Sequence, residues 1–103
     1  MPKGYIIVTE TIKDPVGLEA YARLAGATLA ASGASILAVD DGPQQLEGEW
    51  HGDRTVVLEF ESVEAARAWY DSAEYGEAKP LRHAAADANM VIVAGFEPPT
   101  GNG

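Results

Sequence analysis

The sequence predicts a ferredoxin-like α+β fold of order βαββαβ, an antiparallel sheet with its helices on one face. Three observations carry this. Gly4–Ile12 is an opening run rich in Tyr, Ile, Val and Thr, and Met90–Ala94 is a closing run that is almost wholly apolar. Between them, Arg54–Tyr75 reads as a strand, a helix start, a helix ending in aromatics and a second helix start.

The first strand alternates Tyr5, Ile7, Thr9 and Thr11 against Ile6, Val8, Glu10 and Ile12. Neither set is plainly polar near its start, so something covers both sides of it. Asp14-Pro15 then starts a helix, with Asp14 accepting a backbone N–H and Pro15 at the first helical position. Leu18, Tyr21, Ala22, Ala25 and Leu29 make its apolar stripe. Gly26 costs that helix about 1 kcal/mol relative to Ala, which close backbone packing would explain. Gly33 ends the helix.

Ala34–Val39 is the second strand, Asp40–Pro43 a turn or bulge, and Gln44–Trp50 an arm that resumes the strand. His51-Gly52-Asp53 turns the chain into a third strand, Arg54–Phe60. Ser62 caps a helix from Val63 to about Tyr70. Ser72 caps another from Ala73 to about Ala86, which kinks or restarts at Pro80 because proline lacks an N–H. Asn89–Gly95 is the last strand, and its apolar run predicts burial on both faces. Residues 1–96 form one domain, and 97–103 read as a disordered tail.

The 103 residues fit one domain of roughly 13 Å radius of gyration. There is no cysteine, so neither disulfides nor thiolate chemistry contributes. The start of the chain lacks the pattern of a signal peptide, no segment has the length of a membrane span, and the expected compartment is the cytoplasm. Sixteen acidic residues against seven basic ones give a net charge of −9, which argues against nucleic acid as a partner. His51 and His83 are the only imidazoles and belong to no metal-binding pattern, so no metal is expected. No phosphate-cradling glycine motif occurs, and no cofactor is expected.

A sheet with helices on one side leaves its other face bare. An apolar face of that size exceeds what soluble monomers show, so the sequence predicts a homodimer with its sheets packed about 10 Å apart.

Several parts together resemble the domain-of-unknown-function family 1330. They are Lys3–Val8, the Leu46-Glu-Gly-Glu-Trp50 arm, Val57–Phe60, Glu64-Ala-Ala-Arg-Ala-Trp-Tyr70, Ser72–Tyr75 and Arg82. The resemblance covers residues 3–95 and implies the dimeric α/β-barrel superfamily, hence a homodimer. Relatives in that superfamily include cofactor-free monooxygenases, isomerases and ligand-sensing modules, so the resemblance leaves the reaction open.

Five residues are candidates for chemistry. Glu59 stands in an apolar strand, where a carboxylate is costly unless paired or protonated. It is either a general base or half of a salt bridge to Arg54, Arg82 or an arginine of a second subunit. His83 is a candidate proton shuttle, with Asp87 four residues on to orient it or to form a surface pair. Arg82 offers a bidentate grip on a carboxylate, although helical neighbours point about 100° apart and do not naturally face one site. Tyr75 either places its hydroxyl in a pocket or packs in the core with Trp69 and Tyr70. Trp50, beside a glycine turn, closes over a ligand or packs on the second subunit.

Two functions follow. One is a homodimer binding a small organic ligand between sheet and helices. The other is a cofactor-independent isomerase or monooxygenase acting on a small oxygenated or aromatic acid. In it Glu59 or His83 moves a proton, Arg82 holds an anionic group, and Tyr75 and Trp50 wall the pocket.

Overall fold

The structure, a computed structural model, describes residues 2–98. The elements run β1 (Gly4–Ile12), α1 (Pro15–Ser32), β2 (Ser35–Asp40), β3 (Arg54–Phe60), α2 (Val63–Tyr70), α3 (Ala73–Ala85) and β4 (Ala86–Ala94). The sheet has the order β2-β3-β1-β4 and is antiparallel throughout. This is the ferredoxin-like arrangement predicted above, with the second helical segment split in two. Its least extent is 16 Å and its radius of gyration is 14.8 Å, above the value for a ball of this length because one sheet face carries no layer.

β1 fixes the geometry of both faces. It pairs with β3 through Ile6↔Leu58 and Val8↔Val56, and with β4 through Ile6↔Ile92 and Val8↔Met90. The even-numbered β1 residues therefore face the helices, and Tyr5, Ile7, Thr9 and Thr11 face away with Val57, Glu59, Val91 and Val93. On the helix side, Ile6, Val8, Leu58 and Phe60 meet Ala25 and Leu29 of α1, Ala66 and Trp69 of α2, and Tyr75 and Ala78 of α3. Small residues at the helix contacts let backbones approach the sheet closely. Trp69 of α2 ties three other elements together. It lies 5.6 Å from Phe60 and 4.0 Å from Tyr75 between ring centres, and its Nε1 donates to Thr28 of α1 at 2.9 Å.

Ser62 and Ser72 cap their helices as the spacing predicts, accepting from the Ala65 and Tyr75 amides at 3.0 and 3.2 Å. Gly33 ends α1 at φ 78°. Asp14 departs from expectation, because its carboxylate makes no capping bond. The entry to α1 is held instead by backbone. The amides of Lys13 and Asp14 both donate to the Ala85 carbonyl, at 2.8 and 2.9 Å.

Three other expectations are corrected. α3 runs unbroken through Pro80, where the bond lost is to the carbonyl of Gly76, on an exposed turn of the helix. The Gln44–Trp50 arm is irregular rather than a strand. The Gln45 amide reaches across it, bonding the Gly48 carbonyl and accepting from the Trp50 amide at 3.2 Å, which satisfies locally what a ladder would have satisfied. β4 begins at Ala86, three residues early, and is not buried on both faces. It is an edge strand, and Val91 and Val93 on its outer side are 53% and 39% exposed. Of the expected disordered tail, Glu97 and Pro98 are exposed and without regular structure, and residues 99–103 lie outside the described residues.

Gly52 and Gly33 test the backbone argument. Both have positive φ, but a Cβ on Gly52 would lie 2.5 Å from the Glu10 backbone, whereas one on Gly33 meets nothing within 4 Å. Gly33→Ala is expected to cost about 1 kcal/mol and Gly52→Ala at least about 2 kcal/mol, read from urea unfolding midpoints.

Candidate functional site

The sheet divides the five candidate residues between two sides. Glu59 is on the open face, half-buried, accepting a hydrogen bond from the Tyr5 hydroxyl at 3.0 Å. Neither Arg54 nor Arg82 pairs with it, since Arg54 bonds Asp41 and Arg82 is on the helix side. Trp50 is on the open face too, half exposed, its Nε1 donating to Thr55 at 2.8 Å. Beside it, His51 Nδ1 lies 2.9 Å from the Thr9 hydroxyl.

Tyr75, Arg82 and His83 lie on the helix side. Tyr75 is fully enclosed, its hydroxyl 2.8 Å from that of Tyr21. Its packing against Trp69, Tyr70 and Tyr21 matches the core reading of this residue. Arg82 is buried and His83 exposed, as their 100° separation predicts, yet the two meet. The guanidinium folds back so that Nη2 is 3.3 Å from His83 Nε2. α3 ends before Asp87, so the expected helical His83–Asp87 pair does not form, and among the described residues no hydrogen bond joins them. A pocket holding Glu59, Trp50, Tyr75 and Arg82 together therefore does not exist within one chain.

The interior cavity involves other residues. It lies between α1 and the sheet, about 190 Å³ in volume, with Glu10, Tyr21, Arg54, Trp69 and Met90 in its lining and most of the remainder aliphatic. The lining extends to Ile36 and Val39, each 57% exposed, so its mouth is at the β2 edge. Gly26 borders it, and a Cβ there would meet nothing within 4 Å. The glycine leaves room in the cavity and does not serve the close backbone packing that the sequence suggested.

Glu10 is the polar feature of this cavity. It is 5% exposed, and its Oε2 has no hydrogen-bond partner. Burial pushes its carboxyl above the ordinary glutamate value, with Arg54 and Arg82 pulling it partly back and Asp41 adding to the rise. Burial, with Tyr75 beside it, likewise raises the Tyr21 hydroxyl. For Arg82, burial works against the charge, but Tyr75, Tyr21 and Tyr70 outweigh it and hold the guanidinium above its ordinary value. The cavity thus offers a carboxyl suited to holding or passing a proton, beside a bonded tyrosine pair.

Sequence reasoning did not nominate Glu10 or Tyr21. For Glu10 the signal was present, because it shares a strand face with Ile6, Val8 and Ile12 as plainly as Glu59 shares one with Val57. Among the described residues, no group of three or more His, Cys, Asp or Glu is placed to hold a metal ion. No helix among them is long and apolar enough to cross a membrane.

Residues 3–96 match the domain-of-unknown-function family DUF1330. The chain belongs to the DUF1330 family. No curated protein matches it. Among solved structures, the DUF1330 chain is similar to the RPA0582 protein of unknown function from Rhodopseudomonas palustris, at 20% identity and a TM-score of 0.74, covering 94% of this chain and 85% of that one. It is also similar to SnoaB, described as a cofactor-independent oxygenase from Streptomyces nogalater, at 12% identity and a TM-score of 0.63, covering 97% and 99% of the two chains. A third is a dimeric protein of unknown function and ferredoxin-like fold from Bacteroides fragilis, at 15% identity and a TM-score of 0.59, covering 89% and 95%. At these identities the likeness shows the fold.

The raised Glu10 carboxyl links stability to pH. Below about pH 4.5 folded and unfolded chains both hold this proton, and proton release adds no cost to folding. Above that the unfolded chain releases its proton first, so the folded state loses ground as pH rises until the folded carboxyl ionises. Glu10→Gln is expected to flatten the fall in stability above pH 4.5 and to exceed the parent at neutral pH, in urea unfolding across pH 4.5–8.

Proposed function

We propose that the chain is a homodimer that binds a small organic ligand in the cavity between α1 and the sheet. The observation that carries this is Glu10, a buried carboxyl in the lining of the cavity whose Oε2 has no hydrogen-bond partner. An unanswered buried polar atom costs about 1–3 kcal/mol, and a ligand donor or acceptor at that point recovers it. At about 190 Å³ the space is below the range of drug-sized sites, which suits a compact molecule with one oxygenated end and an apolar body.

Dimerisation is supported by the open sheet face. Tyr5, Ile7, Val57, Val91 and Val93 project from it around the Tyr5–Glu59 bond, and a second copy would remove them from water. The Bacteroides fragilis protein of similar fold is described as dimeric. In that assembly Glu59 and Trp50 belong to the contact between sheets, not to the ligand cavity.

Proton transfer at Glu10 favours a second reading, a cofactor-independent isomerase or monooxygenase acting on a small oxygenated or aromatic acid. Glu10 then takes the role that the sequence gave to Glu59 or His83, with Tyr21 in the same cavity lining. SnoaB, of similar fold, is described as a cofactor-independent oxygenase.

Two measurements test these readings. Val91→Glu places a charge on the open face, and sedimentation is expected to give a mass near one chain for this variant and near two for the parent; a parent that sediments as one chain removes the dimer. Gly26→Leu fills the cavity. A thermal-shift series with benzoate and its hydroxylated analogues is expected to raise the parent's Tm by a few degrees and leave Gly26→Leu unmoved. Equal shifts in both proteins would place the ligand elsewhere.

A further inference from the structure

Among the described residues, Arg82 is a buried cation with no carboxylate in contact with it, and Glu10 acts on it only at longer range. Arg82 is 5% exposed, and its Nε has no hydrogen-bond partner. Burying a guanidinium is unfavourable until something negative answers it. Tyr75, which helps hold the charge, and His83 offer the guanidinium no carboxylate. His83 Nε2 meets Nη2 at 3.3 Å, and since a guanidinium only donates, that ring nitrogen accepts and carries no proton.

Space for an anion adjoins it. A cleft of about 430 Å³ between the end of α3 and the start of β4 is lined by Lys13, Tyr70, Arg82, His83, Asp87 and Met90. Its charged groups come from three directions: Lys13 from the β1–α1 junction, Arg82 and His83 from α3, and Asp87 from β4. Two fixed cations face one carboxylate, in a chain whose overall charge is −9. Met90 borders both this cleft and the α1 cavity, but the cavity reaches β2, at the other edge of the sheet from β4.

We propose that this cleft is an oxyanion site, in which the Nε–Nη2 edge of Arg82 receives the carboxylate or phosphate group of a small molecule and releases His83 as it does so. A carboxylate or phosphate presents two oxygens at the spacing of that edge, so it satisfies the orphaned Nε and replaces a neutral acceptor by a charged one at Nη2. Lys13 adds a longer-range attraction. His83 is a removable plug, an exposed ring that occupies the edge when no anion is present. The site needs no ligand in the α1 cavity and is independent of the function proposed for it.

The test is a titration with sodium acetate, and separately with sodium phosphate, at constant ionic strength and pH 8, following the Arg82 Nε–H and histidine ring signals by NMR. Saturable shifts of Arg82 and His83 are expected, with His51 on the opposite sheet face unmoved as an internal control. A response to acetate alone assigns a carboxylate, and one to phosphate a phosphate ester. Arg82→Gln is expected to abolish the response and Lys13→Gln to weaken it about three-fold. His83→Ala frees the edge beforehand and is expected to tighten binding about three-fold. Should Arg82→Gln not fold, the two exposed positions carry the test. The proposal is overturned if His51 moves with His83, if sodium chloride gives the same shifts, or if His83→Ala leaves affinity unchanged or weaker.

Discussion

Everything in this fold hangs on the two-sided pairing of β1. The strand is hydrogen-bonded to β3 on one edge and β4 on the other, over nearly its whole length. With both edges committed, a slip of one residue would carry Ile6 and Val8 out of the core, so the register is fixed by hydrophobic burial. That register also determines where charge goes. Glu10 follows Ile6 and Val8 at the two-residue period and is carried beneath α1 whether or not a carboxylate is comfortable there. The apolar pattern that stabilises the sheet is what strands the carboxyl.

The helix layer shows the same tension between packing and polarity. Alanines at the helix contacts bring α1 and α3 close to the sheet, and the aromatic group of Trp69, Tyr70, Tyr75 and Tyr21 fills the space between them. Lys79 lies 3.9 Å above the Tyr70 ring, so a cation closes the outer side of this group. Within it, polar atoms either find each other, as the two tyrosine hydroxyls do, or remain alone, as Glu10 Oε2 and Arg82 Nε do. The residues that carry the solitary atoms line a cavity and a cleft, and this distinguishes them from ordinary core.

The fold was legible because it rests on periodicity and caps. Ser62, Ser72, Pro15 and Gly33 mark helix ends by chemistry that acts within a few residues, and the alternation in β1 gave its true boundaries. The site was less legible because its partners are distant. Nothing near Glu10 in sequence announces that Tyr21, Arg54 and Met90 will surround it. Glu59 and Glu10 satisfy the same sequence argument on opposite faces of the sheet, because which face the helices cover is decided by long-range packing. The Arg82–His83 contact was hidden for another reason. Backbone geometry separates adjacent helical side chains, and only a long flexible guanidinium can fold back across the gap.

The junction of α3 with β4 has no loop: Ala85 ends the helix, Ala86 begins the strand, and the Ala85 carbonyl also anchors the entry to α1. A hinge requires slack, and none exists at this corner. All six β2 residues, by contrast, are exposed, and the irregular stretch that follows is bonded to the sheet only near its two ends, at Asp41 and at residues 50–53. Compliance therefore sits at one rim of the sheet and rigidity at the other. Over evolutionary time, added or deleted residues would be absorbed between Asp40 and Asp53, while a single extra residue at Ala85–Ala86 would wrench two helices and a strand out of alignment together.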